Sequence, residues 1–172
     1  MILRLPIETQ RLCIAKFDES MAAQLHLNSL DEDNRRFVPD EVFETIEVAR
    51  EKIEWFIDSY SRENAPLVYA VLLYDKRQIG YVQACPYKKG WEIGYHIAKN
   101  YTGNGYATEA LRAFLHPVMK QLGIPMIYGI CLADNIASRR VLEKCGFTQE
   151  FDGTGEYQGK MRHICRYQYT IS

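Results

Sequence analysis

The sequence lacks a hydrophobic segment long enough to cross a membrane, since no apolar run approaches the roughly 18–20 residues that a span requires. Residues 1–6 contain no charged region leading into an apolar core, so no signal peptide is expected. An excess of positive charge is also missing: 21 Lys and Arg stand against 22 Asp and Glu, for a formal net charge of −1. We therefore expect a cytoplasmic protein that binds neither membranes nor nucleic acid.

Metal-binding and disulfide patterns are absent as well. The five cysteines include no C-x-x-C pair, and the four histidines include no H-x-x-x-H pair. Neither a structural metal site nor a disulfide framework is expected, and the cysteines are interpreted as reduced core residues. No repeat and no Pro-, Gly- or Ser-rich linker interrupts the 172 residues. Length and an ordinary composition, 47% hydrophobic and 25% charged, predict one domain over residues 1–172.

The spacing of apolar residues predicts a mixture of helices and strands. Helices are predicted over residues 18–28, 45–60, 107–122 and 135–144, and strands over 10–16, 67–73, 78–84, 91–97, 126–131, 147–151 and 161–170. Gly146 is predicted to end the last helix in a left-handed conformation. This mixture is typical of an α/β or α+β sheet covered by helices.

The most informative segment is a glycine-rich turn between the strand at 91–97 and the following helix. It reads Thr102-Gly103-Asn104-Gly105-Tyr106-Ala107. The first amides of a helix have no partner inside it, so such a turn suits a phosphate group. The Lys-Ser/Thr of a P-loop is absent, and Thr108 stands where a dinucleotide fingerprint has its third glycine. Alternatively, the glycines serve only a tight strand–helix connection.

A second group of polar residues follows the strand at 126–131. Asn135, Ser138 and Leu142 lie at spacings of three and seven residues, so they share one stripe of the next helix. Taken alone, Asn135 is interpreted as an N-terminal cap and Ser138 as a first-turn helix residue.

In order and spacing, these segments together resemble the GNAT superfamily of N-acetyltransferases, specifically its RimJ/RimL-like branch of ribosomal-protein N-terminal acetyltransferases. The matching segments are residues 8–12, which resemble the branch's T-x-R-L strand, 92–95, 103–111, Asn135-x-x-Ser138 and 143–147. The resemblance implies an acyl-CoA N-acyltransferase fold: a central mixed, mostly antiparallel sheet of about seven strands with about four helices.

The resemblance also implies acetyl-CoA as the acetyl donor and no metal. Its pyrophosphate is expected on the amides of residues 103–107, and its pantetheine arm between the strands at 91–97 and 126–131. The residues expected to bind it are Thr102, Gly103, Asn104, Gly105, Tyr106, Ala107 and Asn135. Thr102 departs from the family motif, which has Gln or Arg at this position, but the binding amides remain.

Acetyl transfer needs a neutral amine and a group that accepts its proton. Family members of similar layout often carry a glutamate at the position of Glu92, our candidate base. Strand alternation places Glu92, Gly94 and His96 on one face, which makes His96 the alternative base unless a bulge breaks the alternation. Many members carry a tyrosine acid where this chain has Leu142, and the RimJ/RimL-like branch has a serine at the position of Ser138. Glu92 and Ser138 are therefore the predicted catalytic residues.

The acceptor is predicted to be a primary amine: a protein N-terminus, a polyamine or an aminoglycoside. Nine acidic residues between 31 and 54 face only four basic ones, which indicates either an acidic acceptor wall or a solvated helix face. Two alternatives stay open: a catalytically silent acyl-CoA-binding domain and another phosphate-binding module. A monomer and a homodimer are both compatible with the sequence. Cys131 lies at the end of a strand expected to flank the cofactor sulfur, and no role is assigned to it.

Overall fold

Eight strands form one sheet in the order β1-β2-β3-β4-β5-β6-β8-β7 in the computed structural model, which describes residues 3–88 and 90–172. The strands are β1 (Ile7–Glu8), β2 (Leu12–Lys16), β3 (Leu67–Leu73), β4 (Gln78–Tyr87), β5 (Gly90–Ile97), β6 (Met126–Leu132), β7 (Thr148–Tyr157) and β8 (Lys160–Thr170). The helices are α1 (Ala22–Asn28), α2 (Glu32–Phe37), α3 (Ile46–Ser59), α4 (Tyr106–Leu122) and α5 (Ile136–Lys144). Short 3₁₀ turns cover Glu19–Met21, Pro39–Glu41 and Lys99–Tyr101.

The sheet is antiparallel except at its centre, where β5 and β6 run parallel. Every other neighbouring pair of strands is antiparallel. The predicted mixed, mostly antiparallel sheet with flanking helices is confirmed, with one more strand and one more α-helix than expected.

Two hydrophobic cores lie on the two faces of the sheet, because successive residues of a strand point to opposite sides. Along β3, Tyr69 and Val71 join the core beneath α4, whereas Val68 and Ala70 join the core beneath α1 and α3. The larger core contains Phe114 of α4 with residues of β2 to β6 and β8. The smaller one contains Leu25, Ile53 and Phe56.

The elements that the sequence analysis did not predict are short or glycine-rich. Helix α2 has six residues and begins at Asp31, whose carboxylate accepts from the Asn34 amide at 2.8 Å. Strand β1 has only two residues. Strand β7 continues six residues past the predicted end at Phe151, through Gly153 and Gly155.

The predicted end of α5 is confirmed. Gly146 has φ of 89°, and the Phe147 amide donates to the Leu142 carbonyl at 3.0 Å. This six-to-one hydrogen bond is the signature of a Schellman cap, which satisfies carbonyls that the helix end leaves free. In the part of the chain that the structure describes, none of the helices combines the length and apolarity needed to span a bilayer.

Candidate active site

A cleft opens in the middle of the sheet, where β5 and β6 separate. The two strands pair only at Glu92 with Tyr128 and at Ile93 with Gly129. Beyond this point no β5–β6 pairing is found within the described residues. The backbone groups of β5 after Ile93 that do not bond to β4 therefore face the cleft, as expected for strands that enclose an extended ligand arm.

The glycine-rich turn lies between β5 and α4, at the end of β5 where this cleft is open. Gly103 and Gly105 have φ of 80° and 81°, a left-handed conformation that favours glycine. The first hydrogen bond of α4 runs from the Glu109 amide to the Gly105 carbonyl at 3.0 Å. The amides of Tyr106 and Ala107 precede it, so they have no partner inside the helix and are available to an anion.

An arginine from β1–β2 lies beside this turn. The Arg11 guanidinium donates to the Asn104 carbonyl at 2.9 Å and lies over the Tyr106 ring at 4.4 Å. Glu109 holds it with an ion pair of 2.6 Å. Thr102 is exposed, and its hydroxyl turns back to the Lys99 carbonyl at 2.8 Å. The cation near the turn therefore comes from Arg11 and not from the motif position at Thr102.

Glu92 lies on the sheet face that carries α1 and α3. Cross-strand pairing places it beside Cys85, Gly94 beside Gln83, and His96 beside Tyr81. The β4–β5 register is unbroken, so the predicted shared face of Glu92, Gly94 and His96 is confirmed and no bulge interrupts it.

The ionisation of Glu92 is shifted by its surroundings. Burial raises the pKa of its carboxyl to about 7, and the nearby charge of Glu41 adds to the shift. Glu41 belongs to the 3₁₀ turn before α3, and its carboxylate accepts from Gln83 Nε2 at 2.7 Å. Two carboxyl groups therefore share this pocket, one from the sheet and one from the segment that covers it.

Most other acidic residues of the segment before α3 point to solvent. Asp33 and Glu44 form exposed ion pairs with Lys99 and Arg35, both at 2.5 Å. Asp31 approaches His96 Nε2 at 3.9 Å. The acidic segment is thus partly a solvated surface and partly, through Asp31 and Glu41, a wall over the face that carries Glu92.

Ser138 lies on the opposite side of β5. Its Oγ is 2.7 Å from the Tyr95 hydroxyl and its carbonyl oxygen is 2.8 Å from it, so the single Tyr95 proton can be donated to either of these Ser138 oxygens. The buried Cys131 thiol lies beside Ser138, and burial raises its pKa to about 12, which keeps it a thiol at neutral pH. Asn135 caps α5, since its Oδ1 accepts from the Ser138 amide at 3.2 Å.

Glu92 and Ser138 therefore do not touch each other. Ser138 contacts Tyr95, which lies three positions after Glu92. Because successive strand residues alternate between faces, Tyr95 and Glu92 point to opposite faces of the sheet. Sequence reasoning missed Gln83 and Tyr95 as parts of the site and counted Glu41 only among the nine acidic residues between 31 and 54. Strand parity could have placed Gln83 and Tyr95, but nothing local in the sequence separates Glu41 from its acidic neighbours.

Known proteins match both the sequence and the fold of this chain. The profile of the acetyltransferase (GNAT) domain matches residues 11–148. YnaD, an uncharacterized N-acetyltransferase of Bacillus subtilis (strain 168), is 28% identical over 146 residues, which cover 84% of this chain and 83% of YnaD.

Two solved structures illustrate the similarity of fold. A GNAT-family acetyltransferase from Bacillus anthracis superposes with a TM-score of 0.81 at 25% identity, covering 95% of this chain and 97% of the other. RimL, a ribosomal-protein alpha-N-acetyltransferase in complex with coenzyme A as a cysteine disulfide, gives 0.81 at 22% identity and 97% coverage of both chains. The profile match spans most of the sequence, so the chain belongs to the GNAT acetyltransferases and is an acetyl-CoA-dependent acetyltransferase.

Proposed function

We propose that this protein, as one domain over residues 1–172, transfers the acetyl group of acetyl-CoA to a primary amine by direct attack in a ternary complex. The observation that carries the proposal is Glu92, a half-buried carboxyl with a pKa of about 7 at the narrow end of the β5–β6 cleft. A base with a pKa near the working pH is ionised often enough to accept a proton and basic enough to hold it.

The cofactor is held at two places in this proposal. The turn of residues 102–107 binds the pyrophosphate through its amides, and the absence of side chains at Gly103 and Gly105 lets phosphate oxygens approach the backbone. The cleft between β5 and β6 receives the pantetheine arm. Asn135 orients the start of α5, and with it Ser138, towards the cleft.

Glu92 takes the proton of the acceptor amine, either directly or through one water. The amine lone pair then forms a C–N bond with the thioester carbon, and the C–S bond breaks as the tetrahedral intermediate collapses. The sulfur leaves with the electron pair of the C–S bond, and the second proton, which the nitrogen loses as the amide forms, passes to this thiolate to give CoA as the free thiol. His96, on the same strand face, is the alternative base.

Ser138 acts on the leaving sulfur. When Tyr95 donates to Ser138 Oγ, the serine hydroxyl is free to donate to the thiolate that forms. A hydrogen bond of this kind stabilises negative charge only as it develops, which lowers the barrier for the second half of the reaction.

The acceptor is a protein N-terminal amine or a small cationic amine. RimL, similar in fold, acts on the alpha-amine of a ribosomal protein, and the pocket around Glu92 carries carboxylates suited to a cation. The competing function is a silent acyl-CoA-binding domain, which would retain cofactor binding without turnover.

The test is acetyl-CoA-dependent thiol release with peptides of varied N-termini, spermidine, kanamycin and free amino acids. Glu92→Gln and Ser138→Ala are compared with wild type, and Glu47→Gln on the exposed side of α3 serves as the matched control. Turnover that collapses with Glu92→Gln but survives Glu47→Gln supports the proposal. Turnover unchanged by Glu92→Gln transfers the role of base to His96 or water. Acetyl-CoA binding without turnover on any amine favours the silent domain.

A further inference from the structure

Glu41 is held above the sheet by contacts to its carboxylate and to its carbonyl. Its carboxylate accepts from Gln83 Nε2 at 2.7 Å, and its carbonyl accepts from the buried Asn34 Nδ2 at 3.0 Å. Gln83 fills the space over Gly94, where an added Cβ would lie 2.7 Å from Gln83 Nε2. The glycine thus makes room for the side chain that positions Glu41.

The tip of the β7–β8 hairpin fixes the same turn from outside. The Tyr157 hydroxyl donates to the Phe37 carbonyl at 2.9 Å, and the Asp40 amide donates to Gln158 Oε1 at 3.2 Å. The backbone around Glu41 is therefore bound on both sides, which keeps its carboxylate over the β4–β5 face with little freedom to turn to solvent.

Two features show that the pocket beside Glu41 has unused hydrogen-bonding capacity. Tyr81 is only 3% exposed, and its hydroxyl lies next to the Glu41 carboxyl without a well-formed hydrogen bond to that carboxyl or to any other described residue. Neither Glu41 nor Glu92 belongs to an ion pair within residues 3–88 and 90–172. Buried polar groups normally have partners, so this arrangement is suited to a ligand that supplies donors.

A primary ammonium group supplies such donors. It carries a positive charge and three N–H groups, and it has no acceptor that the carboxylates would repel. Glu92 accepts a hydrogen bond from one N–H and then removes that proton. Glu41 provides a second carboxylate at the same pocket. The unpartnered Tyr81 hydroxyl beside Glu41 can accept a further N–H.

We propose that Glu41 is the acceptor-binding residue of this enzyme, which receives the substrate as a primary alkylammonium ion and presents that same nitrogen to Glu92. The inference rests on the proposed acetyl transfer and adds the form in which the acceptor binds. A secondary amine has fewer N–H donors and binds less tightly, and an uncharged arylamine does not use Glu41.

Several other titratable groups face the two carboxyls and bear on any pH dependence. They are Lys52 from α3, Tyr81 and Cys85 from β4, His96 from β5 and Tyr157 from β7. Burial raises the pKa of the Glu41 carboxyl above its ordinary value, and the hydrogen bond from Gln83 and the charges of His96 and Lys52 oppose this shift.

The direct test measures the binding of n-butylammonium, a minimal acceptor, to the protein saturated with CoA. Because CoA carries no acetyl group, no reaction occurs and binding is observed alone. Glu41→Gln is expected to weaken binding by about tenfold, the usual effect of losing one charge-assisted hydrogen bond. Glu44→Gln is the matched control, since Glu44 is an exposed carboxylate three residues away. Binding to Glu41→Gln within twofold of wild type overturns the proposal.

Kinetics provide a second readout that a purely structural role would not change. With any acceptor that turns over, Glu41→Gln is expected to raise the KM for the amine and leave the KM for acetyl-CoA unchanged. Removing the Glu41 charge also lowers the pKa of Glu92, so the acid limb of the pH–rate profile moves to lower pH. An unmoved limb together with equal rises in both KM values counts against the proposal.

Two further comparisons keep the outcomes distinct. Glu41→Asp tests the same contact if Glu41→Gln does not fold, and is expected to keep part of the affinity for n-butylammonium. If Glu41→Gln weakens the binding of 1,4-diaminobutane but not of n-butylammonium, Glu41 contacts a second cationic group of the substrate. This result overturns the proposal that Glu41 and Glu92 contact the same nitrogen. If n-butylammonium binding depends on Glu41 but turnover is unchanged by Glu92→Gln, the proposed role of Glu92 is wrong. The proposed binding role of Glu41 is then still supported.

Discussion

At the scale of single residues, the ionisation of Glu92 links the geometry of the site to a measurable rate. Burial is the larger cause of its raised pKa and the charge of Glu41 the smaller. The ordinary value is 4.5 and the shifted value about 7, so Glu92 keeps its proton across a range in which an exposed glutamate has lost it. Only the deprotonated form accepts a proton from the acceptor amine.

The pH dependence of the reaction follows from this shift. We expect kcat/KM for the amine to rise with pH through about 7 as Glu92 loses its proton, and Glu92→Gln to remove this limb. The variant should be slower by about 10²–10⁴-fold at pH 8, the usual range for a general base. Initial rates between pH 5.5 and 9 provide the measurement. A limb that persists in Glu92→Gln would identify another titrating group.

Arg11 provides a second prediction at this scale, because its guanidinium lies beside the turn where the motif position is occupied by Thr102. Arg11→Gln should raise the KM for acetyl-CoA by about tenfold, as expected for a lost charge-assisted contact. The KM for acetyl-pantetheine, which lacks the pyrophosphate, should stay constant. Adding Thr102→Arg should restore part of the affinity. Equal increases for both donors would indicate that Arg11 acts only through its ion pair with Glu109.

Sequence reasoning at this scale depended on strand parity. The shared face of Glu92 and His96 follows from a two-residue period, and the unbroken β4–β5 register confirms it. The contact between Glu41 and Gln83 joins residues 42 apart, and the contact between Tyr95 and Ser138 joins residues 43 apart. Such pairs depend on how separate elements pack, so no local pattern in the sequence reports them.

At the scale of elements, glycines decide how closely neighbouring segments approach. An added Cβ at Gly80 would lie 1.9 Å from the His96 carbonyl oxygen, which is backbone and cannot move aside. At Gly94 the nearest atoms belong to the Gln83 side chain, at 2.7 and 2.8 Å, and that side chain can rotate away. Two glycines of the same strand pair thus have different roles, one structural and one at the site.

The two alanine substitutions should therefore separate stability from activity. Gly80→Ala is expected to lower the free energy of unfolding by about 1–3 kcal/mol or more, because the β4–β5 backbone must shift. Gly94→Ala should change stability by less and raise the amine KM, because Gln83 no longer holds Glu41. Urea unfolding and steady-state kinetics on both variants give the comparison. A Gly94→Ala protein with an unchanged amine KM would show that Gln83 does not position Glu41.

Long, regular elements were predictable and short ones were not. The apolar spacing of α4 and the alternation of β4 and β5 give clear patterns, and these elements lie within a few residues of their predicted bounds. Helix α2 is too short to show a helical period, and it is stabilised by its Asp31 cap and by Asn34 contacts to the chain around it. The extension of β7 was hidden by Gly155, whose missing side chain makes room for Ile164 of β8.

At the scale of the whole molecule, the sheet consists of two parts joined at one place. Strands β1 to β5 form one antiparallel part, and β6, β8 and β7 form the other. Among the described residues, two residue pairs connect them across the β5–β6 junction. Helix α4 packs in the core together with residues from both parts. Side-chain contacts therefore hold the two parts together where backbone hydrogen bonds between strands are few.

Cofactor binding should therefore couple the two parts. Without cofactor, we expect the amide hydrogens that point into the cleft, from β5 after Ile93 and from β6 after Gly129, to exchange faster than those of β3 and β4. Saturating CoA should slow exchange on both sides of the cleft, and exchange in the distant β1–β2 pair should change little. Hydrogen exchange followed by mass spectrometry measures these differences. Protection confined to the glycine-rich turn would place the pantetheine arm outside the cleft.

The narrow junction between β5 and β6 also bears on the lifetime of the protein in a cell. A ligand that binds only the folded chain lowers the population of opened forms in proportion to its concentration above its dissociation constant. Proteases degrade proteins chiefly through such opened forms. A cell rich in CoA should therefore accumulate more of this enzyme from the same synthesis rate than a cell depleted of it, so that nutrient supply sets the abundance of the catalyst as well as the saturation of its donor site.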